Sequence, residues 1–454
     1  MAAASTAAGP SPGGSDTIFA LASAPGRAGV AVYRLSGPGA GRALEALTGK
    51  ALPPPRTAVR ARLSSPDGQV IDDGLALWFP APRSFTGEDV AELQLHGGRA
   101  VASALAEALL GLGLRPAEAG EFSRRAVVAG KLDLTRAEAI ADLVEAETAA
   151  QRRQALRQLD GALARLVDEW RARLVRAMAH LEAAIDFSDE GIPDEVAEDV
   201  AAEVATLAAE LDGHLADGHR GERLRDGIAI AILGAPNAGK SSLLNRIAGR
   251  EAAIVSAHAG TTRDVIEVHL DLGGWPVMVA DTAGLRDAAE EIEAEGVRRA
   301  LARAESADLK LAVFDAGLLP DLDAATLAIV DGDTLVVANK AELGQGPLPW
   351  TVAGRPVFAT SARQGTGIDA LVAAIEAEVA TRFEGAGSPV LTRARHRAAL
   401  EETVLALRRF DATAGLELAA EDLRLAARAL GRITGRVDVE DLLDVVFRDF
   451  CIGK

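Results

Sequence analysis

Gly234-Ala-Pro-Asn-Ala-Gly-Lys-Ser241 carries the most specific chemistry in the chain. Its glycines let backbone N–H groups wrap phosphate oxygens, and a helix starting directly afterwards adds its partial positive charge. Lys240 is spaced to reach β/γ-phosphates, and the Ser241 hydroxyl to bind magnesium. The context is the required one, because the strand-like IAIAILG leads in and the helical SLLNRIAG follows. Further along, Gly260-Thr-Thr-Arg-Asp264 lies where a switch loop offers a threonine to magnesium. Asp281-Thr-Ala-Gly284 ends a strand, as a metal-holding aspartate and γ-phosphate sensor would. Asn339-Lys-Ala-Glu342 follows TLVVA, and Ser361-Ala-Arg363 follows PVFA. Their order at strand ends, where open α/β sheets bind ligands, points to a guanine-nucleotide site.

Two positions depart from common patterns. The usual Asn-Lys-x-Asp carboxylate accepts from guanine N1–H and the amino group, whereas Glu342 adds a methylene. Bidentate geometry then needs a backbone or rotamer shift. Guanine is the favoured base, and a position outside the pocket is the competing reading. Many phosphate hydrolases place glutamine directly after Asp-x-x-Gly to orient water. Here Leu285 stands there and cannot do so. Arg286 is adjacent, but an arginine in a polar loop is more often solvated. The charge that develops on phosphoryl transfer needs another source of stabilisation.

The elements that must position these residues fall into regions. The chain has 454 residues, 49% hydrophobic and 25% charged, enough for two to four globular domains. Its single cysteine, Cys451, excludes an internal disulfide framework and cysteine-built zinc sites. No apolar run reaches about 18 residues, so no membrane span is expected. Net charge is −18, which argues against wholesale wrapping of nucleic acid but leaves room for a local basic patch. Residues 1–15 read as a disordered tail that is not a secretory signal. Residues 16–130 alternate short apolar runs with Gly and Pro and predict a small α+β domain. In residues 131–225, apolar positions from Leu159 to Ile185 and from Val196 to Leu215 recur every three or four residues, predicting helices. Residues 226–382 alternate strands and helices, the signature of a mostly parallel sheet. Residues 383–454 return to helical spacing. Helical segments on both sides of a different domain predict one bundle with an inserted α/β domain.

The segments GAPNAGKSSLLN, GTTRD and DTAGLR, with SFTGEDVAELQLHGG, GEFSRRAVVAGKLDL and the terminal CIGK, resemble the MnmE (TrmE) family of tRNA-modification GTPases. The similarity covers nearly the whole chain beyond its first 15 residues. It implies a P-loop GTPase domain inserted in a helical bundle, preceded by a folate-binding-like α+β domain. The implied GTP contacts in the P-loop are Asn237, Ala238, Gly239, Lys240, Ser241 and Ser242. Those in the switch loop are Ser256, Ala257, His258, Ala259, Gly260, Thr261 and Thr262. The remainder are Asp281, Thr282, Ala283 and Gly284, then Asn339, Lys340 and Glu342, and finally Ser361, Ala362 and Arg363. Magnesium falls to Ser241 and Thr262. Potassium, in place of an arginine finger, falls to Asn237, Ser256, His258 and Thr261.

The same resemblance places a water-directed catalytic glutamate at Glu293, although Glu290, Glu291 and Glu295 make that stretch read equally as a solvated acidic face. Asn237 is the second implied catalytic residue. Arg34, Glu92, Lys131 and Lys454 match positions that bind a 5-formyl- or methylene-tetrahydrofolate, although each taken alone reads as an exposed salt-bridge partner. The family works as a homodimer in the cytoplasm, joined by the FAD-binding partner MnmG in a heterotetramer. Together they add an aminomethyl or carboxymethylaminomethyl group to C5 of the wobble uridine of certain tRNAs. A ribosome-assembly switch is the main rival, but it would need basic or aromatic RNA-binding signals, and the chain has one tyrosine. A P-loop kinase or ATPase is the second rival, and the ordered motif series argues against it.

Overall fold

The computed structural model describes residues 16–186, 194–217, 219–249, 253–254, 267–281, 307–344, 351–383 and 391–437, with Leu443, Val446, Phe447, Phe450 and Gly453. Its contacts divide the chain into two compact units, residues 1–141 with 431–454, and residues 142–430.

The first unit is built on a six-stranded sheet, β1 (Ile18–Leu21), β2 (Ala28–Ser36), β3 (Val59–Ser64), β4 (Val70–Phe79), β5 (Val90–Gly97) and β6 (Arg115–Pro116), in the order β3-β4-β5-β2-β1-β6. All neighbours are antiparallel except β1 and β6. Side chains alternate across a strand. Phe19, Tyr33 and Leu35 therefore face α1 (Ala40–Thr48) and α2 (Arg99–Gly111), joining Leu44, Leu47, Leu105 and Leu109 in one core. Ile18 and Ala20 face the other way and pack with Phe122 of α3 (Glu121–Val128). The chain's last residues belong to this unit. Leu443, Phe447 and Phe450 bury against Leu134 and Ala137 of α4 (Leu134–Glu145). Gly120, at φ 65°, makes room for them: a Cβ there would lie 2.9 Å from Phe447 Cδ1 and Phe450 Cβ.

The second unit opens with α5 (Ala149–Leu159), α6 (Ala162–Asp186), α7 (Asp194–Leu215) and α8 (Arg220–Asp226). The apolar run read from Leu159 onward is interrupted at Asp160–Gly161, where Gly161 takes φ 84° and ends α5 before α6 begins. Along α6 the buried Leu163, Val167, Trp170, Leu174, Ala177, Leu181 and Ala184 follow four-three spacing, a seam suited to helix packing. That seam meets α7, where Arg173 pairs with Glu203 and Glu210 at 2.5 Å each.

An eight-stranded sheet follows, made of β7 (Ile228–Leu233), β8 (Ala253–Ile254), β9 (Glu267–Leu272), β10 (Trp275–Asp281), β11 (Leu309–Asp315), β12 (Thr334–Asn339), β13 (Thr351–Val352) and β14 (Arg355–Ala359). Its order is β13-β14-β12-β11-β7-β10-β9-β8, with β14, β12, β11, β7 and β10 all parallel. Strand β12 is buried at every residue and β7 at all but one, as expected of strands covered on both faces. Covering helices include α9 (Lys240–Ala248) and α10 (Ile368–Phe383). The chain then returns to the bundle through α11 (Ala394–Arg409) and α12 (Leu416–Thr434). Helix α11 packs on α7, with Arg408 reaching Asp212 at 2.7 Å, and Arg424 of α12 reaches Glu182 of α6 at 3.1 Å. Helices before and after the sheet thus form one bundle, and the α/β domain is inserted in it. No helix of the described residues is long and apolar enough to cross a membrane.

Trp170 is 1% exposed, and its Nε1 donates to Glu210 Oε1 at 2.7 Å. Trp170→Ala should destabilise the bundle by about 3–5 kcal/mol, seen as a lower denaturant midpoint in the helical circular dichroism signal. Trp170→Phe should cost less, because it keeps most of the packed volume.

Candidate functional site

Strand β7 runs into the loop of Gly234 to Gly239 and then into α9. Two glycines make the turn possible. A Cβ on Gly234 would collide with the Val313 carbonyl of neighbouring β11, and one on Gly239, at φ 91°, with Asn339 Nδ2. Asn237 also takes a left-handed conformation, φ 62°, which asparagine tolerates better than most residues. Lys240 opens α9 and is 8% exposed. Its Nζ curls back to donate to the carbonyls of Gly234 and Ala235 at 2.8 and 2.9 Å. The ammonium is therefore held at the mouth of the loop, and Ser241 and Ser242 lie exposed on the first turn of α9. A helix start with a buried lysine and no side-chain cap suits a polyphosphate.

Asn339 ties this loop to the base-reading side. It is 1% exposed at the end of β12. Its Nδ2 donates to Ala238 O at 3.0 Å, while its Oδ1 accepts from Ala362 N at 3.1 Å and Thr360 Oγ1 at 3.4 Å. One amide therefore bridges the Gly234–Ser241 loop and the Ser361–Arg363 turn. Lys340 follows in the left-handed region, φ 60°, and its Nζ pairs with Asp315 Oδ2 at 2.7 Å. The Glu342 carboxyl is held below the usual glutamate range, first by hydrogen bonding from Ser361, with Arg363 and Lys340 adding positive potential. Its Oε2 has no protein partner among the described residues. The strand order reverses around β7, so this cluster sits at the switch point of the sheet.

Two family models match the chain: the MnmE helical domain over residues 134–451, and the GTP-binding protein TrmE N-terminus over residues 17–131. A tRNA modification GTPase MnmE of Paramagnetospirillum magneticum is 70% identical over 440 residues, covering 97% of this chain and 100% of that protein. Another, from Rhodospirillum rubrum, is 58% identical, covering 97% of this chain and 99% of the relative. The chain belongs to the MnmE family of tRNA modification GTPases.

Of the family-derived positions, Ser256 through Thr262, Thr282 through Gly284, Glu293 and Lys454 lie outside the described residues, as does Cys451. Asp281 is described by its backbone alone, at the end of β10. In the first unit, the folate-matched Arg34 and Glu92 are opposite one another on β2 and β5. Arg34 Nε and NH2 reach Glu92 Oε1 at 3.0 and 2.9 Å, with both side chains about four-fifths buried. The guanidinium also lies 5.4 and 5.8 Å from the ring centroids of Phe85 and Phe122, within cation–π range. Lys131 borders the connection between β4 and β5 that carries Phe85, because a Cβ on Gly87 would lie 3.1 Å from Lys131 Cε. Gly453, the neighbour of Lys454, presses on the Leu21 carbonyl, and Ala20 is the residue opposite Arg34 on β1. Three of the four positions and the neighbour of the fourth thus belong to one region of this unit.

Sequence reasoning missed the network beneath them. Arg125 pairs with Asp16 at 2.9 Å, Glu121 at 2.9 Å and Glu88 at 3.2 Å, and Ser36 Oγ donates to Glu88 at 2.6 Å and meets Thr86 Oγ1 at 2.7 Å. It joins SFTGED to GEFSRR, two segments quoted only for their resemblance. The available signal was the opposite charge of the two segments, Glu88 and Asp89 in the first against Arg124 and Arg125 in the second.

Burial pushes the Glu121 carboxyl up, but donation from Arg115, the Glu118 N–H and Arg125 outweighs it and leaves the pKa below 4.5. A lowered carboxyl stabilises the fold above its unfolded pKa and loses that contribution as pH falls through the folded one. Glu121→Gln should therefore be less stable than wild type at neutral pH, with the gap narrowing below about pH 4. Parallel urea titrations at neutral and acid pH test this, and a gap independent of pH would contradict it.

Proposed function

We infer that this chain binds and hydrolyses GTP in the service of tRNA modification. The observation that carries the reading is the Asn339 bridge between phosphate loop and base-side turn, in a chain matching tRNA modification GTPases from end to end. In this reading Lys240 and the N–H groups opening α9 hold the β/γ-phosphates, and Ser241 contributes to magnesium. Glu342, kept anionic and with one oxygen free of protein partners, accepts from guanine. Ser361 holds the longer carboxylate in place, which compensates for the added methylene.

Hydrolysis needs positive charge near the γ-phosphate. Asn237 is exposed at the tip of the loop, and its amide oxygen is a hard donor suited to a monovalent cation. Such a cation offsets the negative charge that grows during phosphoryl transfer. Glu293 would act on the attacking water. In the first unit, the Arg34 cation suits the carboxylates of a tetrahydrofolate and the Glu92 carboxylate suits its pterin donors, with Phe85 and Phe122 as apolar walls. That folate would supply the carbon added to the wobble uridine, jointly with a homodimer partner and the FAD-binding protein of the family.

Lys240→Ala should weaken GTP binding by roughly 1.5–3 kcal/mol, the worth of a charge-assisted hydrogen bond, and abolish most turnover. Fluorescent-nucleotide titration tests it, and wild-type affinity and turnover would refute the phosphate role. Glu342→Ala should lose the preference for GTP over XTP and ITP, whereas Glu342→Asp should keep it. In steady-state assays potassium chloride should stimulate hydrolysis and sodium chloride should not. Asn237→Ala should lose that potassium response far more than it loses GTP affinity. Equal rates in the two salts would remove the cation from the mechanism.

A further inference from the structure

Helix α5 is anomalous in an acidic chain. Its eleven residues, AAQRRQALRQL, hold three arginines and no acid, against a formal charge of −18 for the whole. At 3.6 residues per turn, Arg152, Arg153, Leu156 and Arg157 share one arc, and all four are exposed. Ala155 and Gln158 are buried on the opposite face, and Ala150 is buried where the helix begins. Several arginines elsewhere in this unit, Arg173, Arg225 and Arg397 among them, are neutralised by carboxylates within 3.2 Å, while others such as Arg176 and Arg428 stand exposed singly on their helices. Among the described residues, Arg152, Arg153 and Arg157 make no ion pair. The exposed acids that flank it in sequence, Glu145, Glu147 and Asp160, lie beyond the two ends of the helix.

The helix is also tied to the nucleotide domain. Its Ala150 N–H donates to Gly274 O at 2.9 Å in the turn between β9 and β10, and Ala150 belongs to the core of the inserted domain. Gln151 Nε2 and Gln154 Nε2 donate to Arg225 O and Gly221 O at 3.0 Å each, in α8, which leads into β7. The two strands that α5 touches or adjoins, β10 and β7, end at Asp281 and at the phosphate loop.

We propose that the outer face of α5 docks the phosphate backbone of the tRNA, an inference that rests on the tRNA-modification reading above. Guanidinium groups on a clamped helix match phosphate oxygens bidentately with little further ordering. An anionic membrane fits less well, because the arc offers only Leu156 for insertion. The helix sits where nucleotide state and RNA contact meet.

The test uses the full-length chain and labelled total tRNA, with affinity followed by fluorescence anisotropy across a potassium chloride series. R152Q/R153Q/R157Q should bind tRNA at least about tenfold more weakly, with the log–log salt slope reduced by about 2 for three lost phosphate contacts. The corresponding triple lysine variant should keep most of the slope. R176Q/R428Q, exposed arginines on α6 and α12, should bind like wild type. Basal GTP hydrolysis without tRNA should be unchanged in every variant, which reports an intact fold. A triple glutamine variant with wild-type affinity and slope overturns this surface and leaves tRNA modification standing, with an acidic protein as the alternative occupant of the helix. A wild-type chain that fails to bind tRNA even at low salt overturns both.

Discussion

The Asn339 side chain is the constraint on which the nucleotide site depends. A buried amide must satisfy both its N–H and its C=O, and this one does so by spanning two loops from different strands. The phosphate loop and the base-side turn therefore cannot move independently without leaving a polar group unpaired in the interior, at a cost of about 1–3 kcal/mol. Gly239 is glycine for the same reason, since the amide occupies the space a Cβ would need. Substituting Asn339 by aspartate would place a carboxylate against the Ala238 carbonyl, so even an isosteric change breaks the bridge.

Strand β7 is fixed at its other end as well. Ala229 N donates to Asp308 Oδ2 at 2.8 Å, and Arg223 of α8 lies 3.2 Å from the same carboxylate. Burial pushes the Asp308 carboxyl up, against the pull of the Ala229 N–H, Arg223 and Arg382. Arg382 also donates to the Asp308 carbonyl, tying the last turn of α10 to the same point. The bundle reaches this region through Arg397, which bonds Leu215 O at 2.8 Å and Asp217 Oδ1 at 2.7 Å and lies 3.2 Å from Glu222 of α8. Asp142 draws in Arg225 at 2.9 Å and Arg393 at 2.5 Å. Each cation here has a buried or half-buried anion, the arrangement in which removing one partner costs more than the pair contributes.

The nucleotide chemistry was legible because it is local. A strand, a glycine-rich turn and a lysine-led helix are consecutive in sequence, so Gly234 follows the end of β7, Lys240 opens α9 and Asn339 ends β12 as their spacing requires. The fold class was legible for a related reason, since a change from period two to period three or four marks each change of architecture. What was not legible depends on contacts between distant residues. Nothing in the period of Leu159 through Ile185 distinguishes one long helix from two, and Gly161 decides it by adopting φ 84°. The burial of Phe447 and Phe450 against Gly120 joins residues more than 300 positions apart, and no local pattern encodes that. By type alone Arg34 reads as an exposed salt-bridge partner, and it does pair with Glu92, though about four-fifths buried. The structure adds that Phe85, Phe122 and Glu92 hold it in one orientation.

Pinning β7 at both ends restricts how nucleotide state can leave the site. The strand cannot slide, because Asp308 holds its start and Asn339 the loop at its end. The turn between β9 and β10 is held differently. Gly273 and Gly274 form it at φ 58° and 90°, and a Cβ on Gly273 would lie 3.1 Å from Glu376 of α10. Among the described residues it is joined to α5 by the hydrogen bond from Ala150, with no charge to strengthen it. Neutral backbone hydrogen bonds of this kind contribute only about 0.5–1.5 kcal/mol net, far less than separating a buried ion pair costs. That bond joins the N-terminus of α5 directly to the turn from which β10 runs to Asp281, whereas α8 is held by ion pairs.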